Sequence, residues 1–130
     1  HFEHPCGYDQ PGQYSPARDL LRLALAAHAS TVIAGIASRS HGAIRTLGGR
    51  ELRFKSTNQL LGRLDGVSGL KTGYTSQAGK CLIAVAQQNG HRVWLVLLDS
   101  HKRWWIAHRM ILDAYSAAER SPAVAGLARR

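Results

Sequence analysis

Lys71, Thr72 and Gly73 have the side-chain types to bind an extended anionic ligand. They lie in the string GLKTGYT at residues 69–75. On a strand, the lysine supplies a fixed positive charge, the threonine hydroxyl can donate a hydrogen bond to a carboxylate, and the glycine leaves room for another backbone. The alternative is a lysine in a hairpin turn. The position of this string in the fold therefore decides between the two interpretations.

The elements around this string are predicted to form an antiparallel sheet. Residues 67–75 are a strand candidate, and apolar runs at 82–87 and 92–98 flank Asn89 and Gly90. Asn-Gly between apolar runs predicts a two-residue hairpin, because both residues tolerate positive φ. The predicted pairs are Gln88 with His91, Val85 with Trp94 and Ile83 with Val96. Both faces of the hairpin are apolar, which predicts helices or other elements packed against them.

Helices are predicted on either side of this sheet in the sequence. Ser15 as N-cap and Pro16 at the first helical position predict a helix to about Ala27. The remaining predictions are a short helix or extended turn at 31–38, a loop at 38–49, a strand at 51–54, a turn and short helix at 56–64, and a helix at 103–119 that packs across the hairpin.

Seventeen Lys and Arg against eight Asp and Glu give a net charge of +9, which favours an anionic partner. Nucleic acid, an anionic lipid surface and a carboxylate-rich polymer all fit this charge. The basic residues are scattered, which disfavours nucleic acid. No apolar run has the length of a membrane-spanning helix.

The two cysteines, Cys6 and Cys81, are predicted to be separate thiols, Cys81 in an apolar strand and buried. In an oxidising compartment they would have the option of pairing. Neither the cysteines nor the seven histidines have the spacing of a compact metal site, so we expect no metal and no cofactor.

Four segments resemble, in order and spacing, those of one known family. Residues 1–20 (HFEHPCGYDQPGQYSPARDL) are similar to its F-x-x-P-x-G-L/Y loop, which leads into Y-S-x-A-R-D-L. Residues 56–61 (STNQLL), 64–79 (LDGVSGLKTGYTSQAG) and 81–99 are similar to its third-motif region, in which Lys-Thr-Gly is the motif, and to the hairpin behind it. The family is the low-molecular-mass penicillin-binding proteins, the D-alanyl-D-alanine carboxypeptidases and endopeptidases of the S11 class.

The resemblance implies an α+β fold of the penicillin-binding-protein and serine β-lactamase type, with an antiparallel sheet and flanking helices. The chain would be the C-terminal portion of one transpeptidase-like catalytic domain, lacking the N-terminal strands and the nucleophile helix. Its parts would be a loop and helices at 1–49, the third-motif strand and hairpin at 50–100, the C-terminal helix at 101–120 and a tail at 121–130. The reduced sheet would leave an unpaired edge through which the chain self-associates.

The resemblance also implies roles for the third-motif residues. Lys71 supplies charge near a nucleophile, and the backbone N–H of Tyr74 forms half of an oxyanion hole. Thr72 binds a substrate carboxylate, Gly73 leaves room for the peptide, and Thr75 belongs to the same substrate-binding group.

Some carboxypeptidases of this family grip the terminal carboxylate with an arginine just past the final strand. Lys102 and Arg103 are the candidates here. Carboxypeptidase and endopeptidase specificity both stay open.

The family's first two motifs, S-x-x-K with the nucleophilic serine and S-x-N, are matched here only by apparent decoys. Ser68 and Lys71 fit S-x-x-K, but they lie on a predicted strand, where positions three apart face opposite sides. Ser56 and Asn58 fit S-x-N but are predicted to begin a short helix, with Ser56 or Thr57 as its cap. We therefore expect both motifs upstream of His1, so that the chain alone is inactive.

The favoured hypothesis is part of a serine enzyme that hydrolyses peptidoglycan peptides through an acyl-serine intermediate. Its implied partners are peptidoglycan peptides, β-lactams and the upstream part of the same protein, with no nucleic acid, and its implied location is the periplasm or cell envelope. The alternative is a non-catalytic basic module that binds an acidic polymer, either cell wall or nucleic acid.

Overall fold

The computed structural model describes residues 1–120, and the predicted tail at 121–130 lies outside the described residues. Three helices and five strands follow an N-terminal loop. In chain order they are α1 (Ala17–Ala29), α2 (Thr31–Ala37), β1 (His41–Arg45), β2 (Glu51–Lys55), β3 (Val67–Thr75), β4 (Gly79–Gln88), β5 (His91–Leu97) and α3 (Arg103–Arg120).

The main sheet has the antiparallel order β3-β4-β5. Its β4–β5 hairpin turns at Asn89 and Gly90, which have φ of 50° and 80°. The observed register joins Gln88 to His91, Val85 to Trp94 and Ile83 to Val96, so the predicted register is confirmed. The predicted strand that carries Lys71 is also confirmed as β3.

Helices cover both faces of the hairpin, as its apolar faces predicted. On one face, α3 contributes buried Ala107, Ile111 and Tyr115 to a core that also contains Leu60, Leu64, Leu82, Ala84, Ala86 and Leu95. On the other face, the His28 ring of α1 packs nearly perpendicular to the Trp94 ring, at a centroid distance of 5.1 Å. Burial raises the pKa of the Tyr115 hydroxyl. The antiparallel sheet with helices on both faces confirms the predicted α+β fold with flanking helices.

The first helix begins differently from the prediction. Pro16, not Ser15, occupies the N-cap position, and the helix continues to Ala29. The Ser15 hydroxyl donates to the carbonyl of Pro16 instead of capping a helical N–H. The segment at 31–38 is a helix, α2, whose N-cap hydroxyl is that of Ser30.

Two predictions between the helices and the main sheet were wrong. The predicted loop at 38–49 contains β1, which pairs with β2 in a separate two-stranded sheet. The predicted short helix within 56–64 is a series of turns, because Asn58 bonds to distant backbone and Gly62 adopts a φ of 73° that interrupts a right-handed helix.

Cys6 and Cys81 are separate free thiols, as predicted. Cys81 is half-buried rather than buried, because the end of β4 where it lies is only partly covered. In residues 1–120 no single helix is long and apolar enough to span a membrane; α1 and α2 pass that test only together, and they meet at a 104° bend.

Candidate functional site

Strand β3 presents Lys71, Thr72 and Gly73 at an edge of the main sheet, since β4 is its only strand neighbour in the described chain. Lys71 is exposed, and its Nζ donates to the carbonyl of Thr72. Gly73 pairs with Cys81, whose Cβ would lie 3.7 Å from a Cβ at Gly73. The lysine therefore lies on a strand and not in a turn, which favours the ligand-binding interpretation of the three residues.

A threonine from another segment contacts the central residue of the motif. The hydroxyls of Thr57 and Thr72 are 2.6 Å apart, a hydrogen-bond distance. Sequence reasoning had considered Thr57 only as a helix cap. Its contact with Thr72 spans 15 positions, and no periodic pattern in the sequence signals it.

Asn58 attaches this segment to β3. Its side-chain Nδ2 donates to the carbonyl of Gly69 at 3.2 Å, and its Oδ1 accepts from the N–H of Leu60 at 3.1 Å. Asn58 is buried, and the hydroxyl of Ser56 accepts its backbone N–H. The apparent S-x-N motif at 56–58 therefore forms a local turn that supports the edge of β3.

Asp9 contacts the far end of the motif strand. Its carboxylate accepts a hydrogen bond from the hydroxyl of Thr75 at 2.6 Å. The same hydroxyl accepts the N–H of Ala78 at 2.9 Å. Thr75, predicted to bind substrate, thus joins the N-terminal loop to the β3–β4 turn.

Arg103 and Lys102 occupy different environments. Arg103 is half-buried, and its Nη1 donates to the carbonyls of Gly73 at 2.8 Å and Cys81 at 3.2 Å. Its guanidinium carbon lies 4.7 Å from the centre of the Trp104 ring. This arrangement makes Arg103 a support for the β3–β4 pair. Lys102 is exposed, as is the side chain of Tyr74.

Two clefts lie on either side of residues 55–58, which line both. The Lys71 cleft, of about 290 Å³, contains Arg39, Lys55 and Lys71 together with Thr72. The Arg103 cleft, of about 470 Å³, contains Lys55, Arg63 and Arg103. Neither lining includes an Asp or Glu. The β3 edge thus lines one cationic cleft, and residues 55–58 lie between it and a second one. This arrangement suits an extended anionic ligand.

Ser68 lies where β3 is irregular. The register shifts between Val67 and Gly69, so Ser68 has no partner on β4. The bulge interrupts the simple alternation of faces that separated Ser68 from Lys71 in the sequence argument. The S-x-x-K chemistry needs its serine and lysine on successive turns of a helix. Ser68 and Lys71 instead lie on a strand.

Other parts of the described chain do not add to this site. A cavity of about 520 Å³ between the N-terminal loop and the sheet contains Asp9 and Cys81 but neither Lys71 nor Thr72. Among residues 1–120, no group of three or more His, Cys, Asp or Glu residues is placed to hold a metal ion.

Comparison with known families identifies the origin of this arrangement. Residues 1–102 match the sequence profile of peptidase S11, D-alanyl-D-alanine carboxypeptidase. The chain belongs to this family. The family assignment made from the Lys-Thr-Gly string and its flanking segments is therefore confirmed.

Relatives in this peptidase S11 family are longer than the chain. The chain is 33% identical over 100 residues to D-alanyl-D-alanine carboxypeptidase DacB2 of Mycobacterium tuberculosis. This match covers 75% of the chain and 34% of that protein. It is 30% identical over 99 residues to D-alanyl-D-alanine carboxypeptidase DacF of Bacillus subtilis. This match covers 76% of the chain and 25% of that protein.

Solved structures of S11-like proteins share the fold. A D-alanyl-D-alanine carboxypeptidase from M. tuberculosis matches with a TM-score of 0.78 and 28% identity, over 89% of this chain and 47% of that one. Ampicillin-bound penicillin-binding protein D2 from Listeria monocytogenes matches with a TM-score of 0.66 and 32% identity, over 81% of this chain and 44% of that one. The chain thus spans less than half the length of these structures. The comparisons give no support to the non-catalytic basic module.

Proposed function

We propose that the chain forms the third-motif wall of the active site in a serine-type D-alanyl-D-alanine carboxypeptidase or endopeptidase. The observation that carries this proposal is the Lys71-Thr72-Gly73 sequence at an accessible strand edge, beside a cationic cleft, in a peptidase S11 chain. The substrate is a peptidoglycan peptide that ends in D-alanine. The reaction cleaves the D-alanyl amide bond through an acyl-serine intermediate, which water then hydrolyses.

Each residue of the motif has a distinct part in this reaction. A serine oxygen attacks the amide carbon, the C–N bond breaks, and the leaving amine takes a proton. Lys71 places positive charge beside that serine, and the N–H of Tyr74 stabilises the oxyanion. Thr72 donates to the substrate carboxylate, and Gly73 lets the peptide lie against β3. Thr57, through its contact with Thr72, orients that hydroxyl.

The residues beyond the motif have supporting parts. Thr75 holds the end of β3 through Asp9. Lys102, exposed at the start of α3, is free to meet a carboxylate, whereas Arg103 already donates to two backbone carbonyls. Because the solved relatives are about twice as long, we propose that an upstream segment supplies the nucleophilic serine and the S-x-N motif. We propose that the protein acts in the periplasm or cell envelope, where a peptidoglycan substrate lies.

Intact mass spectrometry after exposure to a fluorescent penicillin tests the proposal. We expect no adduct on the 130-residue chain and one acyl adduct on a form extended by the residues encoded upstream. In the extended form, Lys71→Ala slows acylation by about a hundredfold, because it removes a preorganised charge at the reacting centre. Lys80→Ala is the matched control, since Lys80 is exposed and lines neither cleft.

Two results contradict this proposal. An adduct on the 130-residue chain places the nucleophile within it, and peptide mapping then begins with Ser68. No adduct on either form removes the acyl-serine chemistry and leaves only the shared fold.

A further inference from the structure

The β1–β2 hairpin is exposed to solvent almost throughout. Every residue of β2 is exposed, and so is every residue of β1 except Gly42. The connecting turn, residues 46–50, is closed by a hydrogen bond from the N–H of Thr46 to the carbonyl of Arg50 at 2.9 Å. Leu47 in this turn is fully exposed. A large apolar side chain therefore stands at the tip of a hydrogen-bonded turn.

The register of this hairpin separates apolar from charged side chains. Ile44 pairs with Leu52, and Phe54 pairs with Gly42, two positions before Ile44. Side chains two positions apart on a strand lie on the same face, so Ile44, Leu52 and Phe54 share one face. All three are exposed. The opposite face carries the pairs His41–Lys55, Ala43–Arg53 and Arg45–Glu51.

Positive charge accompanies this apolar surface. Glu51 is the only acidic residue between positions 39 and 55, whereas the basic residues there are Arg39, Arg45, Arg50, Arg53 and Lys55. Glu51 pairs with Arg53 at 2.7 Å, and the other four cations form no ion pair with any residue in 1–120. Arg45 and Arg50 flank the turn that carries Leu47. The hairpin therefore presents unpaired cations on both sides of an exposed apolar tip.

This combination of groups indicates the chemistry of the partner. Nucleic acids and acidic polysaccharides supply anionic groups but no apolar layer in which Leu47 could be buried. The surface of an anionic bilayer supplies both, since its headgroups attract Lys and Arg and its acyl chains lie just beneath them. Exposed apolar groups with a polar rim are typical of such interaction sites.

We infer that the β1–β2 hairpin binds the surface of an anionic lipid bilayer, with Leu47 inserted at the acyl-chain boundary and Arg45 and Arg50 at the headgroups. Ile44, on the apolar face beside the turn, extends the inserted surface. The protein then lies on the bilayer through this hairpin and does not span it. The inference goes beyond the proposed function and requires none of its acyl-serine chemistry.

Sedimentation with lipid vesicles tests this inference. The vesicles are pure phosphatidylcholine, or phosphatidylcholine with about one third phosphatidylglycerol, which gives an anionic surface. We expect the 130-residue chain to bind the anionic vesicles at least about tenfold more tightly, and the difference to shrink as salt rises. The form extended by the residues encoded upstream is expected to behave in the same way.

A pair of leucine variants tests insertion of the tip. Leu47→Ser is expected to weaken binding to the anionic vesicles about tenfold, because it removes an apolar side chain that the bilayer would bury. Leu112→Ser, at an exposed leucine of α3, is the matched control and leaves binding unchanged. Circular dichroism shows whether each variant is folded.

A pair of double variants tests the headgroup contacts. Arg45→Gln/Arg50→Gln is expected to weaken binding about twentyfold, since each cation near an anionic surface contributes separately. Arg18→Gln/Lys80→Gln removes the same charge from exposed positions outside the hairpin and retains most of the binding. This control separates contacts at the tip from the attraction of the whole basic chain.

Four outcomes overturn the inference. Equal binding to both kinds of vesicle removes the headgroup contacts, and equal effects of Leu47→Ser and Leu112→Ser remove the insertion. Loss of binding in the extended form shows that the upstream segment covers the hairpin. Tighter binding to duplex DNA or polyglutamate than to anionic vesicles, at the same salt, identifies an acidic polymer as the partner. None of these outcomes depends on penicillin acylation, which tests the proposed function separately.

Discussion

Asn58 shows how much one buried polar side chain does in this site. Only 6% of its surface is exposed, yet it bonds to the backbone of both Gly69 and Leu60. These bonds fix residues 55–58, which separate the two cationic clefts, against β3. Neither bond follows from the sequence pattern, where Asn58 was the last residue of an apparent S-x-N motif.

Replacing Asn58 is therefore expected to destabilise the chain through the groups it leaves unpaired. Asn58→Ala leaves the buried carbonyl of Gly69 and the N–H of Leu60 without that partner, which costs about 2 to 3 kcal/mol. Gln59→Ala is the control, since Gln59 is exposed and its loss changes stability by less than about 0.5 kcal/mol. Urea unfolding measures both, read as a shift in midpoint at constant slope. Similar midpoints for the two variants would contradict this role.

At the scale of single residues, the motif was predictable and its partners were not. Lys71, Thr72 and Gly73 are adjacent in the sequence, so their chemistry is visible without a fold. Thr57 and Asp9 reach Thr72 and Thr75 from 15 and 66 positions away, through contacts that only the folded chain creates.

Among the elements, prediction succeeded where local chemistry decides the structure. Asn89 and Gly90 adopt the positive φ that a two-residue hairpin needs, and the turn then determines the register of β4 and β5. Strand β1 was missed because it has almost no buried side chain to impose alternation. Its pairing with β2 depends on backbone hydrogen bonds across a turn, and a polar, glycine-rich sequence has no hydrophobic pattern that predicts them.

Gly66 immediately precedes β3 and tests how closely that strand is held against β4. It has a φ of +81°, and a Cβ there would lie 2.2 Å from the carbonyl oxygen of Gln87. Gly62 has a similar φ of +73° but open space around it. The two glycines therefore share the conformational requirement and differ in the approach of the neighbouring backbone.

Alanine at each position separates these effects. Gly62→Ala pays only the cost of a left-handed conformation, about 1 to 2 kcal/mol. Gly66→Ala is destabilised by the same left-handed conformation and must also displace β4 backbone, which adds at least about 2 kcal/mol. Urea unfolding of both variants gives the difference. If the two lose equal stability, β3 is held less closely against β4 than the structure shows.

At the scale of the whole molecule, the two edge strands of the main sheet in residues 1–120 have different surroundings. The β3 edge is partly covered, because Thr57 and Asn58 bond to Thr72 and Gly69. Strand β5 has β4 on one side and no strand on the other in the described chain. Unpaired edge strands present a row of free backbone donors and acceptors to other chains. We therefore expect the self-association predicted from the sequence to use the β5 edge.

The hairpin register identifies which β5 groups would pair. Gln88 and His91 flank a two-residue turn, so they form a hydrogen-bonded pair and every second position thereafter does the same. The N–H of Arg92 then points away from β4. In a two-fold antiparallel β5–β5 dimer, the Arg92 N–H of each chain donates to the other chain, so this one residue contributes two hydrogen bonds.

We expect the weight-average mass of the chain to rise from 14.2 kDa towards twice that value across the micromolar to millimolar range in analytical ultracentrifugation. Arg92→Pro removes an outward N–H without breaking the β4–β5 ladder and weakens the dimer about tenfold, for two lost hydrogen bonds. Arg92→Ala is the control, because it removes the side chain that bonds to Gln87 but keeps the N–H. A dimer weakened equally by both substitutions would depend on the Arg92 side chain, and a chain that stays monomeric throughout would show that the β5 edge does not pair.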